Sequence, residues 1–358
     1  MPVELPVKDE PDIQNMVPTA GSTGASFVDT IPLRLVLVLA APYIAGQTQE
    51  DAIKAAHRIY KQDSFAGTID ILGEDAESAE QCDAAVSLYT HLIDAISRAP
   101  VPVAQPLEQI TVSMKPSMFS TEAPGAGAGG ELDRAYARIK AVVDHAHKRN
   151  IRLTLEAEDH RWTDFHINSY ISLINEGYTN LGTVLQSRLF RTRNDIRRFD
   201  ERMRVRLVIG IYNEVADIAH TEKPVMKELL VEYAAELGKR GTYIELATHD
   251  AGCLDSFMSK VAIPQRLPGS QFETQFLMGV PRKKLQTALR NGSYLEPFAR
   301  QAEGEDLKYL EELTQEGILV RLYLPFGKDK VAGPYCKRRL KANPNMIGYG
   351  IKNLLHIQ

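Results

Sequence analysis

Cysteine is scarce in this chain: Cys82, Cys253 and Cys336 are the three present in 358 residues. They are far apart, odd in number, and form neither a CxxC pair nor a zinc spacing, so the sequence offers no disulfide framework and no cysteine metal site. A reducing cytoplasm is the expected compartment. An excess of positive charge is also lacking, the formal net charge being −4. Without a basic field or an obvious basic patch, no nucleic-acid partner is expected. Long apolar runs are missing as well. The most apolar stretch, Leu35–Gly46, is broken by Pro42 and falls well short of the ~20 residues that span a bilayer; it reads as a packed helix. The opening residues, MPVELPVKDEPDIQN, have neither the apolar core of a secretory signal nor the Arg-rich character of a transit peptide. They predict a flexible tail over residues 1–30, with an N-terminal helical segment at 31–66 and one large barrel domain over 67–358.

Several familiar chemistries lack their motifs. PGAGAGG contains GxGxxG at Gly125, Gly127 and Gly130, but the glycines do not follow a strand directly. The helix N-terminus therefore cannot meet a pyrophosphate as a dinucleotide fingerprint requires, and the segment reads as a loop. No GK[ST] follows it, which excludes a P-loop. EAEDHRWTDFH, residues 156–166, is rich in carboxylates and imidazoles, yet His160 and His166 are six apart and no HExxH occurs, so no metal is expected. No GxSxG supports a serine hydrolase. The eight arginines from Arg188 to Arg206 are interspersed with Asp195, Asp200 and Glu201, which predicts a solvated, ion-paired helix surface.

What is present is alternation. Helical periodicity over Thr48–Gln62 and Ala76–Ala99 flanks GTIDILGE. The pattern then repeats with ITVSMK, IRLTLEAE, LGTVLQ, RVRLVIG, TYIELATH, FETQFLMG and GILVRLYLP, separated by helical segments such as ELDRAYARIKAVVDHAHKRN. That makes eight apolar runs. Eight strands with right-handed crossovers close into a (β/α)8 barrel, which removes both sheet edges; an open doubly wound sheet shares the alternation, but eight is the closing number. The predicted fold class is therefore α/β, a barrel with N-terminal helices. Glu74, Lys115, Glu156, Glu158, Gln186, Thr248, His249 and Tyr323 fall at or just after the ends of predicted strands, the catalytic face of such a barrel.

Near the C-terminus, RLYLPFGKDKVAGPYCKRRLKANP places Tyr335, Arg338 and Arg339 at i, i+3 and i+4 of a helix. Two guanidiniums side by side make a bidentate carboxylate clamp. A basic last turn answering the helix dipole accounts for them equally well.

These residues resemble the signature of the proline dehydrogenase family, in which a final helix carrying Tyr-x-x-Arg-Arg lies over the barrel mouth. Landmarks similar to the family's occur in order over roughly 270 residues: DILGE, VSMKPS, LEAE, VLQ, RLVIGIY, ATHD, FETQFLMG, RLYLPFG and YCKRRLKAN. The resemblance implies a C-terminal helix over the mouth and FAD held non-covalently at the C-terminal face by Gln186, Arg206, Val208, Gly210, Thr248, His249 and Arg339, with Arg206 near the flavin N5. It implies that Lys115, Arg338 and Arg339 bind the carboxylate of L-proline, that Glu156, Tyr212, Leu277, Tyr323 and Tyr335 line the rest of the substrate site, and that Glu74 pairs with Arg338 as a gate. Lys115, Glu156, Arg206, Tyr323, Arg338 and Arg339 are the expected catalytic set. The implied reaction is oxidation of L-proline to Δ1-pyrroline-5-carboxylate with electrons passing to a quinone, and with the quinone comes an expected peripheral membrane contact.

Four positions depart from the family pattern. Glu156 stands where Asp is usual, Ile209 and Asn213 where Lys and Trp are usual near the flavin strand, and Ala342 where Glu usually follows the paired arginines. Two alternatives to proline oxidation are oxidation of another cyclic imino acid such as hydroxyproline, and a barrel that binds flavin or proline without turnover.

Overall fold

The computed structural model describes residues 31–125 and 127–342. The tail expected over residues 1–30 lies outside them, as do the side chains of Arg338, Arg339 and Ala342.

Strands β1 (Ala66–Ile71), β2 (Thr111–Met114), β3 (Arg152–Leu155), β4 (Leu181–Gln186), β5 (Arg204–Val208), β6 (Tyr243–Ala247), β7 (Phe272–Leu277) and β8 (Val320–Phe326) follow one another around a closed barrel. Every neighbouring pair is parallel, and β8 pairs with β1 in register, Thr68 opposite Tyr323 and Asp70 opposite Pro325. All eight apolar runs thus become strands, and the barrel closes as expected. The open sheet is excluded.

Local chemistry explains the helices that cross between them. Thr48 caps Gln49–Asp63 through a capping box with Asp51, satisfying backbone N–H groups that the first turn leaves without partners. Ser78 accepts from the Gln81 N–H at the head of Ala79–Arg98, which buries Cys82, Ala85, Tyr89, Leu92, Ile93 and Ile96 on one face. That face shares one hydrophobic core with strand residues such as Val112 and Leu153, which point outward from the barrel and are fully buried.

The N-terminal segment departs from expectation. Leu35–Gly46 yields only part of one helix, Leu33–Ala40, and then a 3-10 turn at Ala41–Tyr43. Pro42 cannot continue the helical ladder. Val36, Ala40 and Tyr43 are buried, but Leu35 and Val38 are about half exposed. The buried side packs with Ala332, Tyr335, Cys336 and Leu340 of the last helix, Asp329–Ala342, and with Leu72 and Leu277 from beyond β1 and the end of β7. Because those two residues belong to the C-terminal rim, the last helix lies over the barrel mouth.

The arginine-rich segment is a second correction. Between β4 and β5 the helical structure is one four-residue turn, Thr192–Asp195, extended by a 3-10 turn at Ile196–Arg198. Arg191, Arg193 and Arg202 form surface ion pairs as expected. Arg204 and Arg206 do not, because they belong to β5 and are buried inside the barrel.

Candidate active site at the C-terminal mouth of the barrel

A β-strand turns successive side chains to opposite faces. In this barrel the outward set is aliphatic: Val205 and Leu207 on β5, Ile244 and Leu246 on β6. The inward set is largely polar and buried: Thr68 and Asp70 on β1, Thr111 and Ser113 on β2, Arg204 and Arg206 on β5, Glu273 and Gln275 on β7, Arg321 on β8. The interior is a stack of polar layers in place of the branched aliphatic layers usual in this architecture.

The uppermost of these layers forms the site. Lys115, 6% exposed just past β2, donates from Nζ to Asp70 Oδ1 at 2.6 Å and to the Ile71 carbonyl at 3.1 Å. Burial alone would lower the ammonium's pKa, but the charge of Asp70, with Tyr89 and Glu74 behind it, outweighs burial and holds the group protonated. Beside this pair, Arg206 on β5 reaches Glu156 with Nη1, its shortest contact, and places both terminal nitrogens 3.4 Å from Ser113 Oγ. Its Cζ lies 5.2 Å from the centre of the Tyr323 ring, and the Tyr323 hydroxyl donates to Glu156 Oε1 at 3.3 Å. Burial pushes the Glu156 carboxyl up, yet Arg206, Ser113 and Lys115 together bring it below the usual carboxylate value. Arg206 is raised by Glu156 and Glu245 against its own burial, and burial among carboxylates holds the Tyr323 phenol well above its ordinary range. At neutral pH the layer is ionised with Tyr323 neutral, a fixed array of charges in a water-poor interior.

Around this centre sit the other expected residues. Tyr323 is not at a strand end, as its sequence position suggested, but in the middle of β8, pointing inward. Leu277 closes β7, and Tyr335 hangs from the last helix, buried, in the cluster that packs on the rim. Tyr212 is half-buried on the loop after β5. That loop is tied to the loop after β3 by His160, whose backbone N–H and ring bond the Glu214 carboxylate at 2.9 and 2.6 Å. Glu74 lies three residues beyond β1. Its expected pairing with Arg338 falls on a side chain outside the described set.

Gln186, Arg206, Val208, Gly210, Thr248 and His249 form an arc over the ends of β4, β5 and β6. Gly210 has φ +101°, and a Cβ there would overlap the Gln186 amide, so only glycine fits. Gln186 Nε2 donates to the Glu158 carbonyl at 2.8 Å. Along this arc the Nε atoms of Arg206 and Arg188 are buried without a hydrogen-bond partner. Arg206 Nε has Glu245 Oε2 at 3.4 Å, an ion pair too poorly aligned to be a hydrogen bond. A buried donor in need of an acceptor, Arg188 Nε, on a glycine-opened rim fits an anionic, acceptor-rich cofactor such as FAD.

Sequence reasoning missed Asp70, Ser113, Glu158's partner Ser117, and Glu245. Glu158, 5% exposed, accepts from Ser117 Oγ at 2.5 Å and from the Ser117 N–H at 2.9 Å. Ser117 Oγ in turn accepts from the Asp75 N–H at 3.0 Å, so this carboxyl joins the loops after β1 and β2 to the end of β3. The available signal was polar alternation inside the strands, as in T-x-D of β1 and R-x-R of β5.

The comparisons point one way. Residues 52–347 match the model of a family described as proline dehydrogenase. A proline dehydrogenase of Deinococcus radiodurans is 28% identical over 319 residues, which is 88% of this chain and 90% of the relative. Proline dehydrogenase 1 of Bacillus subtilis is 26% identical over 315 residues, 87% of this chain and 89% of the relative. Among solved structures, proline utilization A (PutA) from Bdellovibrio bacteriovorus, inactivated by N-propargylglycine, superposes with a TM-score of 0.69 at 19% identity. That match covers 86% of this chain and 32% of the PutA chain, so this chain spans about a third of its length. No helix among the described residues is long and apolar enough to cross a membrane.

Proposed function

This chain belongs to the proline dehydrogenase family, an oxidoreductase family, and from that premise we propose that it oxidises L-proline to Δ1-pyrroline-5-carboxylate, with FAD as hydride acceptor and a quinone as final oxidant. The observation that carries the proposal is the pairing, within one buried layer at the barrel mouth, of Lys115–Asp70 with Arg206–Glu156–Tyr323.

In the reaction, the C–H bond on the ring carbon next to nitrogen breaks with both electrons leaving as hydride. The nitrogen lone pair forms the C=N bond, and the N–H proton is released. The nitrogen must therefore be neutral beforehand, and the reacting carbon must be held at roughly 3–3.5 Å from the acceptor. Lys115, with Arg338 and Arg339 from the last helix, fixes the substrate carboxylate by charge-assisted bonds. Tyr212, Leu277, Tyr323 and Tyr335 wall the ring and exclude water. Glu156 holds both the Arg206 guanidinium and the Tyr323 hydroxyl, so the cation and the ring wall are placed by one carboxylate. Gln186, Arg206, Val208, Gly210, Thr248 and His249 are the residues that would hold FAD, which supplies the oxidising centre when bound. Arg206 is a fixed cation where negative charge grows during the reaction.

The test is a visible spectrum of the purified protein under anaerobic conditions. A yellow protein bleached by L-proline is expected, with turnover when a quinone analogue is added. Colourless protein that cannot be reconstituted with FAD sinks the proposal, and a yellow protein that proline leaves unbleached removes proline as substrate.

A further inference from the structure

Arg206 carries more negative charge around it than one cation requires. Glu156 bonds it from the rim, and Glu245, 2% exposed on the neighbouring strand, stands in register with it and 3.4 Å from its Nε. Glu245 is also the link to the layer below. Its Oε1 is 3.1 Å from Arg204 Nη1, and its Oε2 accepts from Gln275 Nε2 at 2.7 Å. The next carboxylate on that side, Glu273, is bonded by Arg321 and shares the Gln275 amide nitrogen with Glu245. Glu245 is therefore shared between a cation that belongs to the barrel's foundation and one that faces the mouth.

We infer that Glu245 is a positioning residue for Arg206, setting both the guanidinium's pose and how much of its positive charge the hydride-accepting centre feels. The inference rests on the reading above that Arg206 faces that centre. A second buried carboxylate beside a cation is costly unless its remaining lone pairs are bonded. Here Gln275 donates to Oε2 and Arg204 forms an ion pair with Oε1, so the charge is held in place under Arg206 and offsets part of its field. Because Arg206 Nε makes no hydrogen bond, the guanidinium is steered from below by Coulomb attraction and from the rim by direct bonding. Two anchors on opposite sides fix its plane over the Tyr323 ring.

Sulfite provides the test, since it adds to oxidised flavin as an anion and its affinity reports the positive field at the isoalloxazine independently of turnover. Glu245→Gln removes the charge in nearly the same volume. The sulfite dissociation constant is expected to fall about tenfold, equivalent to about 30 mV for a two-electron couple. Gln275→Met acts in the opposite sense: it strips the donor that Glu245 shares with Glu273, leaves both carboxylates less compensated beneath Arg206, and should weaken sulfite binding severalfold. Opposite shifts support the inference. Unchanged affinity in either variant, or shifts of the same sign in both, overturns it; should Glu245→Gln fail to fold, the sign for Gln275→Met decides alone. Wild-type protein that holds FAD but is not bleached by proline overturns the substrate assignment, and the sulfite comparison still decides the role of Glu245. Wild-type protein that takes up no flavin overturns both.

Discussion

Arg321 and Arg206 lie inside the same barrel, one near its N-terminal end and one near its mouth, and both are almost fully buried. Every nitrogen of Arg321 is used. Nε and Nη2 bond Glu273 at 2.6 and 3.1 Å, and Nη1 and Nη2 bond the carbonyls of Gly67, Gln109 and Leu107. Arg206 keeps its Nε out of any hydrogen bond and meets Ser113 only at 3.4 Å. The lower arginine ties strands and loops together and has no capacity left, whereas the upper one is bonded to one carboxylate and only ion-paired through Nε with the other. Buried charge by itself is weak evidence for function. Unused bonding capacity in a buried, oriented charge is the better sign, and in this barrel it lies at the mouth.

The largest expected effect breaks the lower region. Arg321→Met leaves Glu273 buried beside Gln275 without its cation, a loss of about 3–5 kcal/mol, and should lower the midpoint of chemical unfolding sharply or prevent folding. A midpoint within error of wild type would show that the lower layer is dispensable.

Glu158 sharpens the comparison at the upper end. Burial first, and then the charge of Glu74, push this carboxyl up to about 8 despite its two bonds from Ser117. The folded value lies above the unfolded one near 4.5, so its contribution to stability is complete below about pH 4.5 and is lost as pH rises through about 8. Glu158→Gln cannot ionise and should gain on wild type across that window, by roughly 2–4 kcal/mol between pH 5 and 8. Paired unfolding curves at the two pH values check it, and a pH-independent difference would mean the carboxyl is ionised throughout, as acceptance of both Ser117 donors would favour.

Third is the carboxylate clamp assigned to the last helix. Arg339→Met should raise the KM for proline tenfold to a hundredfold, about 1.5–3 kcal/mol, and leave the unfolding midpoint nearly unchanged, the reverse of Arg321→Met. Unchanged saturation by proline would make the basic face of that helix structural only.

The smallest effect concerns Tyr323, held by Glu156 with its ring facing Arg206. A phenol against the substrate ring disfavours an added hydroxyl by about 1–3 kcal/mol. The specificity constant for L-proline should therefore exceed that for trans-4-hydroxy-L-proline at least tenfold, narrowing in Tyr323→Ser. If the ratio is unmoved by the substitution, another residue selects the substrate.

Repeating apolar runs set the strand count, and the strand count set the barrel, because each run is a local property and eight parallel strands have one economical closure. The residues at strand ends were legible for the same reason: Lys115, Glu156 and Thr248 directly follow their strands, and Gln186 ends its own. Composition misled where a segment mixed two environments. Arg188–Arg206 reads as one solvated surface, yet β5 begins at Arg204 and turns its arginines inward, since alternation sends Val205 and Leu207 to the helices. Asp70, Ser113, Glu245 and Gln275 were hidden for a related reason. Each looks like an ordinary polar residue within its own strand, and its partner lies between 30 and 93 positions away in Lys115, Arg206 or each other. Periodicity along the chain determined which residues turn inward. Only closure of the barrel, which brings eight separate strands around one axis, decided which charges meet there and which of them keep a donor free.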